Sequence, residues 1–126
     1  MSNKFEQGLK IRKSVLGEEH VENSLNNVNA FNEPLQKLVT EYCWGEIWSR
    51  EGLDKKTRSL LNLAILTAIN RPHELRLHTA GALRNGCTSE EIQEVLLQCM
   101  IYIGVPAAVD SFRVATEIIN ESENNK

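Results

Sequence analysis

The sequence predicts an all-α protein, built from about six or seven helices joined by short turns. Three observations carry that expectation. Apolar residues recur at helical spacings along nearly the whole chain. No segment alternates apolar and polar residues over the length of a strand. Breakers and caps punctuate the pattern at Gly17, Arg71-Pro72, Asn85-Gly86 and Gly104-Val105-Pro106.

Each element follows from its own residues. Phe5, Leu9 and Leu16 form a first apolar stripe, stopped at Gly17, whose tolerance for positive φ suits a helix end. Val21, Leu25 and Val28 mark a short helix over 20–28. Asn32 is placed to cap the next one, with Pro34 in its first turn and Leu35, Leu38, Val39 and Tyr42 on one face. Asp54 precedes a helix whose face is Leu60, Leu61, Ala64, Ile65 and Ala68. Pro72 starts a further helix that ends at Asn85-Gly86. Thr88-Ser89-Glu90-Glu91 reads as a capping box ahead of Ile92, Val95, Leu96 and Cys99. Ala108, Phe112, Ala115 and Ile119 line the last helix, and the polar end from Glu121 to Lys126 is expected to fray. No linker or repeat interrupts this order, so residues 1–126 read as a single domain.

Composition narrows the function classes. The chain has 126 residues, 41% of them hydrophobic and 25% charged, with a formal net charge of -3. That balance predicts a globular core and argues against a basic nucleic-acid binder or a polybasic membrane surface. The longest apolar stretch, Leu60 to Ile69, is interrupted by Asn62 and Thr67 and is short of the roughly 18–20 residues of a membrane span. Met1 to Glu6 hold no apolar core of a secretory leader. Cys43, Cys87 and Cys99 are odd in number and widely spaced, which suits a reducing cytoplasm rather than a disulfide framework. The short C-terminal helices, rich in small apolar residues, suggest a core completed by oligomerisation.

Four segments hold residues able to do chemistry. On a helix starting near Pro72, Arg71, Glu74 and His78 share one stripe, with Leu75, Thr79 and Ala82 on the neighbouring stripe facing the core. A cation, a carboxylate and an imidazole at the edge of a buried surface make a proton-transfer site, Glu74 orienting His78. The same spacing also fits a solvated face with an i,i+4 pair worth a few tenths of a kcal/mol. A metal would find two ligands in Glu74 and His78 and no third nearby.

The second segment is Tyr42-Cys43-Trp44-Gly45-Glu46-Ile47-Trp48. Aromatic rings packed around Glu46 would form an apolar wall that turns a carboxyl into a proton donor. The same rings also serve as interior anchors with Glu46 exposed. In the third, Arg58 precedes an apolar run and can reach over it to bind a carboxylate bidentately, or belong to a solvated basic turn. In the fourth, Gly104-Val105-Pro106-Ala107-Ala108 offers small residues at a helix start, which admits an anion or makes a tight turn.

Taken together these segments resemble the gamma-carboxymuconolactone decarboxylase family. The matching strings are Val15-Leu16-Gly17-Glu18-Glu19-His20-Val21, Trp44-Gly45-Glu46-Ile47-Trp48-Ser49-Arg50 and Thr57-Arg58-Ser59-Leu60-Leu61. Glu74-Leu75-Arg76-Leu77-His78, Arg84-Asn85-Gly86 and Gly104-Val105-Pro106-Ala107-Ala108 continue them in the expected order. The resemblance implies an alkylhydroperoxidase-like, all-α fold in a homo-oligomer, a hexamer or trimer, with sites near subunit contacts. It implies cofactor-independent decarboxylation of 4-carboxymuconolactone to 3-oxoadipate enol-lactone in aromatic catabolism, with no metal. It assigns His78, Glu46 and Glu74 to catalysis and Arg58, Arg71, Trp44 and Trp48 to a dicarboxylate lactone. Ala80 and Val109 depart from the family pattern, where many relatives have a basic residue and an Asn.

The wider superfamily also contains peroxidases and thiol-disulfide reductases with Cys-x-x-Cys-x-x-x-His. Placing His78 on that histidine puts Arg71 and Glu74 where the two thiols would stand, and Ser59 where an upstream Glu would stand. Dithiol chemistry needs an attacking thiolate and a resolving thiol, which this motif lacks. A non-catalytic oligomeric binding module of the same fold is the third alternative.

Overall fold

The computed structural model describes residues 3–125, and every regular element among them is helical. Seven α-helices and one π-helical segment follow in order: α1 (Asn3–Leu16), α2 (Glu18–Asn26), α3 (Glu33–Leu38), the π-helical segment (Val39–Ile47), α4 (Lys55–Ala68), α5 (Pro72–Arg84), α6 (Ser89–Tyr102) and α7 (Val105–Asn124). The chain forms two compact units, divided after Asp54.

In the first unit α1 packs along the π-helical segment, and α2 and α3 flank this pair. Gly17 ends α1 at φ 94°, as its place in the sequence predicts. The close approach rests on two glycines. A Cβ on Gly8 would overlap the Thr40 carbonyl oxygen and stand 2.8 Å from the Gly45 nitrogen, and a Cβ on Gly45 would overlap the Lys4 carbonyl. Beside them Arg12 is buried, its Nη1 donating to Gln36 Oε1 at 3.0 Å and Thr40 Oγ1 at 3.3 Å.

Two expectations fail in this unit. Asn32 does not cap α3 with its side chain; its Oδ1 instead accepts from Asn29 N at 2.8 Å, while Asn29 Oδ1 accepts from Phe31 N and Asn32 N. These local Asx bonds tie up the groups that would have made the cap. Leu35, Leu38 and Tyr42, expected on the inner face, are exposed. The inner row is Gln36, Thr40, Trp44 and Trp48. A row of residues four apart overshoots each 3.6-residue turn by about 40°. Widening to i→i+5 bonding, as in Trp48 N to Cys43 O at 3.0 Å, takes up that drift.

In the second unit α4 lies against α5 and α6, and α7 packs across α5 and α6. The core is Leu63, Leu75, Ala82, Cys87, Ile92, Leu96 and Ala115. Leu75, Thr79 and Ala82 are buried on α5 as the spacing predicts. On α4 the buried row is Ser59, Leu63 and Thr67, whereas Leu61, Ile65 and Ala68 of the expected face are exposed. The polar members of that row are satisfied within the core. Thr67 Oγ1 donates to Leu63 O at 2.7 Å and shares a 2.9 Å bond with Ser111 Oγ, and Ser59 Oγ accepts from Asn85 Nδ2 at 2.9 Å.

The capping box of α6 is complete: Glu91 N donates to Thr88 Oγ1 at 3.1 Å, and Thr88 N donates to Glu91 Oε1 at 2.9 Å. Lys56 joins it through a 2.9 Å ion pair with Glu91, tying α4 to the start of α6. The Thr88 amide, reinforced by Lys56, holds the Glu91 carboxyl below its ordinary value of 4.5. A depressed carboxyl contributes stability above its unfolded pKa and loses it as pH falls through the folded value. Acidification below 4.5 is therefore expected to loosen this end of α6. Thr88→Ala should cost about 1 kcal/mol, read as a lower urea midpoint with an unchanged slope.

Candidate active site

The α4–α5 pair positions the residues of greatest chemical interest. Its closed end is a tight turn. Asn70 adopts φ 58°, tolerable for Asn, and Arg71 N donates to Leu66 O at 3.0 Å. Pro72 then starts α5. At the other end Asn85 Nδ2 reaches Lys55 O at 3.3 Å as well as Ser59. Between these two fastenings His78 is 8% exposed, and its Nδ1 lies 3.4 Å from Asn62 Nδ2 on α4. Arg58 is half-buried one turn before Asn62, on the same stripe of α4.

The rest of the expected stripe on α5 is less enclosed. Glu74 is exposed. Arg71 is exposed too, and its Nη1 folds back to the carbonyls of Ile69 at 3.1 Å and Asn70 at 3.2 Å. The fold therefore buries His78 and gives its ring an amide neighbour, Asn62. Sequence reasoning missed that residue as a site member. The signal was present: Asn62 is one of two polar interruptions in the apolar run of α4.

The first unit holds the other candidates. Trp44 and Trp48 are buried and stacked, their ring centroids 4.7 Å apart and planes inclined by 26°. The apolar enclosure expected for Glu46 is incomplete, since its side chain keeps 38% of its exposure. Two residues along the coil puts Glu46 on roughly the opposite side, where it is half-exposed and ion-paired with Lys4. Tyr42 is largely exposed.

The thiols form no disulfide. Burial pushes the Cys99 thiol up, and it pushes Cys43 up against the opposing pull of the Arg12 guanidinium. Cys87 is buried with its Sγ 3.6 Å from Lys56 O. Cys43 and Cys99 thus favour the protonated, unreactive form. Among the described residues no three His, Cys, Asp or Glu side chains gather as a metal-binding group, and no helix is long and apolar enough to cross a membrane.

These features define a class: a small all-helical protein with an imidazole seated between two helices, arginines on the elements that carry it, and two of its three thiols pushed toward the protonated form. Residues 33–117 match the model of the Carboxymuconolactone decarboxylase family, and the chain belongs to that family. It is 42% identical to the 4-carboxymuconolactone decarboxylase of Acinetobacter baylyi, over 94% of this chain and 88% of that protein. It is 45% identical to the nitrosuccinic acid decarboxylase npaB of Metarhizium robertsii, over 93% of this chain and 82% of that protein. An uncharacterised 15.0 kDa protein of Paracoccus denitrificans is 35% identical over 68% of this chain and 65% of its own length.

Proposed function

We propose that this protein is a carboxy-lyase that converts 4-carboxymuconolactone to 3-oxoadipate enol-lactone, without a cofactor, in the protocatechuate branch of aromatic catabolism. The observation that carries this reading is the nearly full-length likeness to a decarboxylase named for that lactone. The substrate's chemistry makes a cofactor unnecessary. The reacting carboxylate sits next to an alkene conjugated with the lactone carbonyl. As the bond to the carboxylate breaks, CO2 leaves and its electron pair passes through the alkene to the carbonyl oxygen. A proton then adds at carbon. The protein has to hold the other carboxylate, stabilise the oxygen as charge grows there, and admit the proton.

Arg58 and Arg71 serve as carboxylate anchors in this reading, each charge-assisted bond worth about 1.5–3 kcal/mol. His78 serves as donor to the lactone oxygen, with Glu74 as an outer partner. Glu46, ion-paired with Lys4, is the alternative proton donor. Trp44 and Trp48, which the resemblance assigns to the substrate, are buried and stacked, and in this reading they fix the segment that carries Glu46. Self-association is part of the proposal, as a hexamer or trimer. Its support is an apolar groove of about 510 Å³ between α4 and α6, lined by Leu60, Leu61, Ala64, Val95, Cys99 and Tyr102. The cytoplasm is the proposed location, in keeping with cysteines that form no disulfide.

The nitrosuccinic acid relative supports a second reading, a nitro-substituted dicarboxylic acid as substrate. There the nitro group accepts the electron pair, so both reactions ask the protein for carboxylate anchors and a donor at an oxygen. Incubating the purified protein with each compound, with no added cofactor, separates the two. Release of CO2 from the lactone, undiminished in EDTA, is the expected result. Turnover of the nitro acid alone would transfer the assignment to the second reading, and turnover of neither would leave a binding module.

A further inference from the structure

We propose that Asn62 is a positioning residue for the decarboxylation: its amide donates to Nδ1 of His78 and holds the neutral imidazole in the tautomer that carries its proton on Nε2. This inference rests on the decarboxylase reading and gives His78 one role within it, that of hydrogen-bond donor to the substrate oxygen.

The geometry is the 3.4 Å approach of Asn62 Nδ2 to His78 Nδ1. An amide nitrogen donates and does not accept, so Nδ1 must be the accepting nitrogen of the pair. In a neutral imidazole the proton then resides on Nε2. Asn62 is half-buried within an otherwise apolar stretch of α4, where an amide is costly to desolvate unless it is bonded. His78 is itself buried, so its ring nitrogens need bonding partners as well.

The chemistry favours the same tautomer. Decarboxylation has no proton to abstract at the start. An unprotonated Nε2 facing the substrate would present a lone pair to an oxygen that is gaining negative charge. An Nε2–H presents a donor to it, preorganised before the bond breaks. Flipping the Asn62 amide would reverse the pairing, putting the proton on Nδ1 and removing that donor.

The test uses the full-length protein labelled with 15N in its histidines, at a pH where the His78 ring is neutral. The expected spectrum shows Nε2 protonated and Nδ1 unprotonated. Asn62→Asp, which offers Nδ1 an acceptor instead of a donor, should shift the proton to Nδ1. The same variant should lower kcat by about 10²-fold with a much smaller change in KM. Asn62→Gln keeps the amide donor and should retain both the tautomer and most of kcat. A parent protein with the proton on Nδ1, or an Asn62→Asp protein that turns over at the parental rate, would overturn the proposal. If Asn62→Asp does not fold, the parent spectrum still decides the tautomer. That spectrum is recorded with no substrate present, so its failure is distinct from failure of the decarboxylase reading, which the CO2 assay reports.

Discussion

Replacing His78 by Ala or Gln is expected to lower kcat for CO2 release by about 10²–10³-fold, the usual loss when a preorganised donor to a developing oxyanion is removed. KM should move far less, because the arginines assigned to the carboxylates are untouched. His78 is buried, so the Ala variant also leaves a cavity and should unfold at a lower temperature than the Gln variant. Comparing the two separates lost chemistry from lost packing. Helical circular dichroism and light scattering establish that each variant remains folded and in its parental assembly state. Parental turnover in both would remove His78 from the mechanism.

Gly8→Ala is expected to be among the most destabilising single-methyl additions in the first unit. The new Cβ would overlap the Thr40 carbonyl oxygen and crowd the Gly45 nitrogen, both main-chain atoms that cannot rotate away. Relief requires α1 to move off the π-helical segment, disturbing the bonds of Arg12 to Gln36 and Thr40. Overpacking of this kind costs about 1–3 kcal/mol and more when backbone must shift. A urea melt should show the loss directly. Gly52→Ala is the control, since a Cβ there meets nothing within 4 Å. Equal midpoints for the two variants would show that the close approach is not required.

Local signals were legible in the sequence wherever one residue's chemistry determined the outcome. Gly17, Pro72 and the Thr88–Glu91 box all act within their own turn, and the structure uses each as the spacing implied. The buried stripe of α5 was legible because Leu75, Thr79 and Ala82 have polar residues around them to contrast with. The inner face of α4 was not. Its outer face is as apolar as its inner one, and the buried row includes Ser59 and Thr67, whose hydroxyls are paid for by bonds to Asn85, Leu63 and Ser111. Periodicity weighs side chains by polarity and does not register such partners. Asn62 escaped notice for the same reason, since its partner lies 16 residues away on another helix. Glu46 shows the opposite limit: two indoles each two positions away did not enclose it, and it stays half-exposed beside Lys4.

The widened coil from Val39 to Ile47 has an evolutionary consequence. A helix that gains or loses one residue turns everything beyond it by about 100°. Deleting one position here would bring Ser49 to the place where Trp48 stacks, and inserting one would bring Ile47 there. Relatives that preserve the indole pair are therefore constrained in length across this stretch even where their residues diverge. Gaps in an alignment of such relatives should gather in the turns before α3 and after Ile47.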